Sequence, residues 1–260
     1  MRRLRLIFPA LLVGMMAVSA PAAGLACDEP SNVEEFRYSW RLRGGLGWIA
    51  GLIFPRTGVG NLKTVYPEGS ERSISSELLI TPEEGRAGGF YLYESEMDAA
   101  GQKTLVTNHG YAWGKKSRSE RTIFDYAKRL ARIHKVTPGK VEEKVRKMPD
   151  APRDVLTAIH FLRQHADQIG GPLLTTVYSD GKEYPVLFRP TDRRTFTVDG
   201  ERVSALGFEI VDAPGGKKWP GGVRIWLSND ARRIPLRIEI QQSIASMQLD
   251  LQSVESCVLK

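Results

Sequence analysis

Apolar and polar residues alternate without interruption in FRYSWRL, the stretch at residues 36–42. Successive side chains of a β-strand point to opposite faces of a sheet, so alternation of period two is typical of a half-buried strand. A similar alternation recurs in the second half of the chain, at residues 203–210, 223–227, 236–240 and 247–251. Strands of this kind at both ends of the chain predict a mainly β fold.

Turn residues separate these alternating stretches. Residues 180–181 and 199–200 are Asp-Gly pairs, and Asp-Gly between two such stretches is a strong hairpin signal. Residues 214–216, Pro-Gly-Gly, mark a further break. Hairpins join neighbouring strands in antiparallel order, and no internal repeat or low-complexity block divides the chain. We therefore predict one antiparallel sheet in a single β-rich domain, over residues 23–260.

One segment follows a different period. Val155, Ile159 and Leu162 are spaced i, i+4 and i+7, which places them on one face of a helix. Asp154 precedes them as an N-terminal residue of that helix, and residues 170–172, Gly-Gly-Pro, supply a stop. The sequence thus predicts one helix that lies against a curved sheet or fills it.

The first residues have the organisation of a secretory signal peptide. Three arginines lie within the first five residues, an apolar run extends from residue 6 to residue 18, and small residues follow. That run is too short for a membrane-spanning helix, which needs about 20 residues. We predict a signal peptide over residues 1–22, with residue 26 as the alternative end, and a periplasmic or secreted protein without a transmembrane span.

Two cysteines, Cys27 and Cys257, lie near the two ends of the mature chain. Thiols in an oxidising compartment tend to pair, so a Cys27–Cys257 disulfide is one interpretation. The other is lipid tethering through Cys27, because small residues precede it as they do in bacterial lipoproteins, although Gly24 stands where an aliphatic residue is usual. Lipidation would exclude the disulfide, and the sequence leaves both interpretations open.

Charge and hydropathy restrict the partners. Removing the three leader arginines from the formal charge of +7 leaves +4, and because an exported protein rarely meets nucleic acid we expect none as a partner. Basic residues are dense between residues 115 and 147, which predicts either contact with anionic lipid or solvated edge strands and loops. The apolar, Gly-rich stretch at residues 44–55 predicts either core and sheet edge or a membrane or ligand contact.

The sequence gives little support for catalysis. The four histidines, His109, His134, His160 and His165, do not stand at the spacing of metal ligands. Neither a Gly-x-Ser-x-Gly nucleophile motif nor a phosphate-binding Gly loop in the right context is present. We therefore expect no enzyme activity, no metal and no cofactor, with a hydrolase as the least favoured alternative.

Four stretches together resemble a known bacterial family. Residues 154–163 (DVLTAIHFLR) are similar to its helix, and residues 178–182 (YSDGK) are similar to the hairpin that follows. Residues 226–236 (WLSNDARRIPL) resemble its most specific motif, Leu-Ser-x-Asp-x-x-Arg-x-Pro, and residues 36–40 resemble its first strand. On these residues the chain resembles the domain-of-unknown-function 3108 family.

The resemblance implies an envelope protein of unassigned biochemical role, with a fold similar to that of the lipoprotein carriers. That fold is a strongly curved antiparallel half-barrel with a helix packed near its concave face. Within the motif, Ser228 and Asp230 suit a turn, Arg233 or the arginine before it suits an ion pair, and Pro235 suits the start of the next strand. The motif therefore predicts a structural turn and no catalytic group.

Half-barrels of this shape hold acyl chains, which favours a non-catalytic binding module for an apolar or lipid-like ligand. The predicted pocket is lined by aromatic residues: Trp40, Trp48, Tyr91, Trp113, Phe208 and Trp226. The alternative is a structural envelope protein with a filled core and a protein partner. An open apolar cavity above about 300 Å³ would favour the binding module, and an interior filled by the helix would favour the structural protein.

Overall fold

The computed structural model describes residues 31–43, 56–68, 72–83, 85–148, 150–168, 171–179, 181–219, 221–241 and 246–256. The predictions for the leader, for Cys27 and Cys257, and for the whole 44–55 stretch, which includes Trp48, lie outside the described residues. Within them the chain forms one α-helix, α1 (Val155–His165), two 3₁₀ turns (Gly85–Gly88 and Ala166–Gln168) and fourteen strands. The strands are β1 (Val33–Arg43), β2 (Thr57–Val65), β3 (Ser73–Pro82), β4 (Phe90–Asp98), β5 (Thr104–Trp113), β6 (Lys116–Asp125), β7 (Leu130–Thr137), β8 (Lys140–Lys147), β9 (Leu173–Ser179), β10 (Lys182–Val198), β11 (Glu201–Asp212), β12 (Gly222–Ser228), β13 (Pro235–Gln241) and β14 (Ser246–Ser256).

All fourteen strands belong to one antiparallel sheet, which is not closed. Consecutive strands pair with each other, except β8 and β9. Those two do not pair and form the two edges of the sheet. In the middle of the order β1 pairs with β14, so strands from opposite ends of the described chain lie side by side. The prediction of a mainly β fold with a single antiparallel sheet and one helix is confirmed. None of the described helices has the length and hydropathy to cross a membrane.

The turn between β10 and β11 has the conformation that its Asp-Gly pair predicts. Asp199 and Gly200 have φ angles of 49° and 79°, and Val198 pairs with Glu201 directly across the turn. Positive φ at both central residues is the mark of a type I′ turn, whose twist matches that of the strands it joins. The hairpin predicted from this pair is therefore confirmed.

The sheet has two rims, because its strands run in alternating directions. At the helix rim β8 ends and β9 begins, and the connection that contains α1 lies between them. At the far rim β1 ends and β2 begins. Gln164 of α1 donates to the carbonyl of Ala100 in the β4–β5 loop at 2.9 Å, which fixes the helix at the helix rim.

The helix lies inside the fold. All eight residues from Leu156 to Arg163 are buried, and a helix buried on every side is surrounded by other elements rather than resting on a surface. The N-cap residue is Asp154, whose side chain accepts a hydrogen bond from the Thr157 amide at 2.8 Å. The predicted position and start of the helix are thus confirmed, and the helix fills the interior on its side of the sheet.

Side chains on the inner face form rows that cross the strands, because residues paired across a ladder point to the same face. One row contains five residues that are at most 3 % exposed: Trp40, Leu249, Ile238, Ile225 and Phe208. These side chains come from five adjacent strands and pack into one apolar layer. The interior is therefore filled at this level as well.

Candidate functional site

The motif at residues 226–236 forms a turn held by its own side chains. Ser228 donates to Asp230 at 2.7 Å and accepts from the Ile234 amide at 2.8 Å, while Asp230 also accepts from the Arg232 amide at 3.1 Å. Burial acts to raise the pKa of Asp230, but hydrogen bonds from Ser228 and Arg232 outweigh it and lower that pKa. These hydrogen bonds make the motif a self-contained turn.

The same turn anchors the helix. Arg163 forms a bidentate ion pair with Glu34 of β1, at 2.7 and 2.9 Å, and both side chains are at most 5 % exposed. The Arg163 guanidinium also donates to the carbonyls of Arg232 and Arg233 at 3.0 Å. One arginine therefore joins the helix, the central strand and the motif turn.

Further hydrogen bonds hold the motif turn against β1 and the end of α1. Tyr38 donates to the carbonyl of Pro235 at 2.8 Å, and β13 begins at that proline, in the position that the motif predicts. Arg233 has a φ angle of 52°, donates to the carbonyl of Ser228 at 3.1 Å and pairs with Asp167 just beyond the helix. The motif is thus a structural turn that holds α1 in place.

The structure separates the aromatic residues of the predicted pocket. Trp40 and Phe208 belong to the filled row. Trp226 neighbours Ile225 on β12 and so faces the other side of the sheet, where its indole donates to Asp192 at 3.3 Å and it is only 1 % exposed. Such buried side chains pack the core and line no open hollow.

Tyr91 and Trp113 are the pair that the structure does bring together. Their ring centroids are 5.4 Å apart, and both residues are half-buried near the far-rim ends of β4 and β5. Tyr111 lies on the other side of Tyr91, with ring centroids 5.8 Å apart. An aromatic cluster therefore occupies the inner face at this part of the far rim.

A second row on the inner face was not foreseen from the sequence. It consists of partly buried apolar residues that are paired in register across five strands: Leu42, Met247, Ile240, Val223 and Ile210. Each lies within two residues of the far-rim end of its strand. We name these five residues the far-rim row. Only the register aligns them, so no local sequence signal could have identified the set.

A small cavity at the start of α1 is lined by both polar and apolar side chains. The cavity measures about 20 Å³, which is room for about one water molecule. Its lining includes Tyr93, Thr107, His109, Glu120, Thr122 and Asp154. In the part of the chain that the structure describes, no three His, Cys, Asp or Glu side chains come together as metal ligands.

Asp154 gives a test of this polar region. Burial raises the pKa of its carboxyl above the usual value, despite hydrogen bonds from the Thr157 amide and from hydroxyl groups nearby. A raised folded-state pKa means that this group's contribution to stability is present at low pH and is lost as pH rises through that pKa. We therefore expect Asp154→Asn, which keeps a capping oxygen, to gain stability relative to wild type as pH rises from about 3.9, the ordinary pKa of Asp.

Urea unfolding of both proteins between pH 3 and pH 7 measures this difference. Asp154→Ala is the control, because it removes the cap together with the charge and should be about 0.5–2 kcal/mol less stable than Asp154→Asn at every pH. If the free energies of unfolding of wild type and Asp154→Asn differed by the same amount at every pH, the raised pKa of Asp154 would be contradicted.

Comparison with known proteins supports the family and the fold. A family model described as Protein of unknown function (DUF3108) matches residues 71–252. A search of the curated proteins found no match. Among solved structures, a beta-barrel-like protein of domain of unknown function DUF1849 from Brucella abortus is similar, with a TM-score of 0.54 and 10 % identity. That similarity covers 87 % of this chain and 98 % of the other, and at this identity it shows the fold alone.

Proposed function

The chain belongs to the family described as Protein of unknown function (DUF3108), and from this premise we propose that it is a non-catalytic binding module for an apolar, lipid-like ligand. The observation that carries the proposal is the far-rim row. Its five apolar side chains are packed on the core but retain partial exposure, and they form one continuous line on the inner face. Covering exposed apolar surface is favourable at about 25 cal/mol per Å².

The dimensions of the far-rim row suit a hydrocarbon chain. Five strands at a spacing of about 4.8 Å give the row a length of about 19 Å. The next row inward, which includes Trp40 and Phe208, is filled, so the ligand lies across the far-rim row and does not penetrate beneath it. The proposed compartment is the periplasm or the exterior, as the leader predicts, where lipid-like molecules are available.

Ile240 lies in the middle of the far-rim row and provides the direct test. We expect Ile240→Lys to weaken binding of a lipophilic fluorescent probe, 1-N-phenylnaphthylamine, at least tenfold, which is about 1.4 kcal/mol, because an ammonium group would displace apolar contact. Fluorescence titration of the mature protein measures it. Leu174→Lys is the matched control, since Leu174 is 62 % exposed on the edge strand β9 and its replacement should leave binding unchanged.

Mass spectrometry of the purified mature protein tests the proposal independently. Lipid-like molecules that co-purify with wild type and are depleted in Ile240→Lys would support it. A protein that carries no such molecule and does not bind the probe would overturn it.

The second candidate function is a structural envelope protein with a protein partner. The observation that favours it is the filled interior, in which residues 156–163 of α1 are all buried and the small cavity at the start of the helix has room for about one water molecule. Val141 and Val145 of the edge strand β8 are 62 % and 63 % exposed and would supply an apolar contact for that partner. Failure to bind lipid or probe, together with stable capture of an envelope protein that Val145→Lys abolishes, would favour this candidate.

A further inference from the structure

A strongly charged groove lies on the inner face, away from the far-rim row. It measures about 290 Å³ and is enclosed by β6, β7, β8 and the turn between β9 and β10. Its cationic lining residues are Arg118, Lys135, Lys144, Arg146 and Lys182. Two carboxylates, Glu120 and Glu142, also line it, so three positive charges are in excess. We name it the cationic groove.

Register places the cationic groove on the same face as the far-rim row. Lys135 of β7 pairs with Glu120 on one side and with Glu142 on the other. Glu120 in turn pairs with His109, and His109 with Tyr93, which packs on the core. Because paired residues point to one face, the groove opens toward the interior of the sheet rather than to its outer surface.

Both carboxylates of the groove are already engaged by cations. Glu142 lies 2.6 Å from Lys140 and 2.6 Å from Lys144, and these contacts lower the pKa of its carboxyl to about 2. Glu120 lies 2.9 Å from Arg118. The carboxylates therefore offset the charges of Lys144 and Arg118.

Three cations of the groove are left without a carboxylate partner in the described part of the chain: Lys135, Arg146 and Lys182. Arg146 donates to the carbonyl of Gly181 at 3.1 Å, which holds its guanidinium beside the β9–β10 turn. Lys182 follows that turn directly, and Lys135 comes from β7. Side chains from three separate strands thus bring an excess of positive charge into one concave site among the described residues.

We propose that the cationic groove binds the phosphate group of an amphiphilic ligand whose apolar part lies on the far-rim row. Arginine and lysine are the side chains that bind phosphate oxygens most strongly, and a concave site concentrates their field. The groove measures about 290 Å³, which is room for one head group. This inference rests on the proposed function, because it assigns the polar end of the same ligand.

Calorimetry with two amphiphiles of equal tail length tests the subsite. Dodecyl phosphate and the uncharged dodecyl maltoside are titrated into the mature protein below their micelle concentrations. We expect wild type to bind dodecyl phosphate at least tenfold more tightly. In Lys135→Gln/Lys182→Gln that preference should fall below threefold while the affinity for dodecyl maltoside is unchanged. The matched control is Lys63→Gln/Lys128→Gln, which removes the same charge outside the groove and should retain the preference.

The outcomes separate the subsite from the function it rests on. Equal binding of the two amphiphiles by wild type, or a preference that survives in Lys135→Gln/Lys182→Gln, would overturn the subsite and leave the binding module standing. Failure of both amphiphiles to bind would overturn both. Inorganic phosphate is titrated alone in a third arm; tight binding of it without binding of either amphiphile would assign the groove to a free anion and overturn the head-group assignment.

Discussion

Replacing Arg163 by methionine is expected to lower the free energy of unfolding by about 3–5 kcal/mol, the cost of leaving a buried charge unpaired. The partner, Glu34, is 1 % exposed and would lose both of its hydrogen bonds to the guanidinium. The carbonyls of Arg232 and Arg233 would lose their donor as well. Urea unfolding followed by circular dichroism at neutral pH measures the loss.

Two further variants test whether the buried ion pair is the cause of this loss of stability. Glu34→Leu/Arg163→Met should be more stable than either single variant, because no buried charge is left without a partner. Arg224→Met is the control for the loss of a solvent-exposed ion pair. Arg224 lies 3.4 Å from Glu209 and its side chain is 52 % exposed. This substitution should lower the free energy of unfolding by less than about 1 kcal/mol. A loss below about 1 kcal/mol in Arg163→Met would show that the ion pair does not hold the helix.

Gly58→Ala is expected to destabilise the protein by about 3 kcal/mol or more, at the upper end of what overpacking costs. A Cβ atom at Gly58 would lie 2.1 Å from the carbonyl oxygen of Thr81 and 2.5 Å from the indole nitrogen of Trp40. That indole donates to the same carbonyl at 2.7 Å, so the new methyl group would displace the backbone or break a buried hydrogen bond.

Gly60→Ala is the matched control on the same strand. A Cβ atom there would lie 3.3 Å from the end of the Leu249 side chain, which can shift by a few tenths of an ångström, so we expect a change below about 1 kcal/mol. Thermal and urea unfolding of the two variants give the comparison. Equal losses would mean that the Trp40–Thr81 contact is not what requires a glycine at position 58.

The parts of the fold that the sequence predicted are those specified by neighbouring residues. The alternation at residues 36–42 predicted β1, Asp199 and Gly200 predicted a turn, and Asp154 predicted the start of α1. The motif at residues 226–236 predicted a turn and, with the other stretches, the family. In each case the hydrogen bonds or the side-chain period involve residues close together in the chain.

The candidate site depends on register between distant strands and could not be predicted in this way. Alternation alone did not reveal that Trp226 faces away from the interior or that Trp40 is sealed within a filled row. The far-rim row joins Leu42 to Met247 across the β1–β14 pair. The cationic groove likewise combines side chains of β6, β7, β8 and β10, and nothing local relates their positions in sequence.

The pairing of β1 with β14 sets the order in which the molecule can assemble. β1 can join β2 early, but its other neighbour is β14, the last described strand. Tyr38 meets Pro235 of β13 and Leu251 of β14 only when both of those strands are available. Contacts between such distant residues form slowly, and an unpaired strand edge is prone to aggregate. Folding is therefore expected to be slow, with one edge of β1 unpaired until β14 forms.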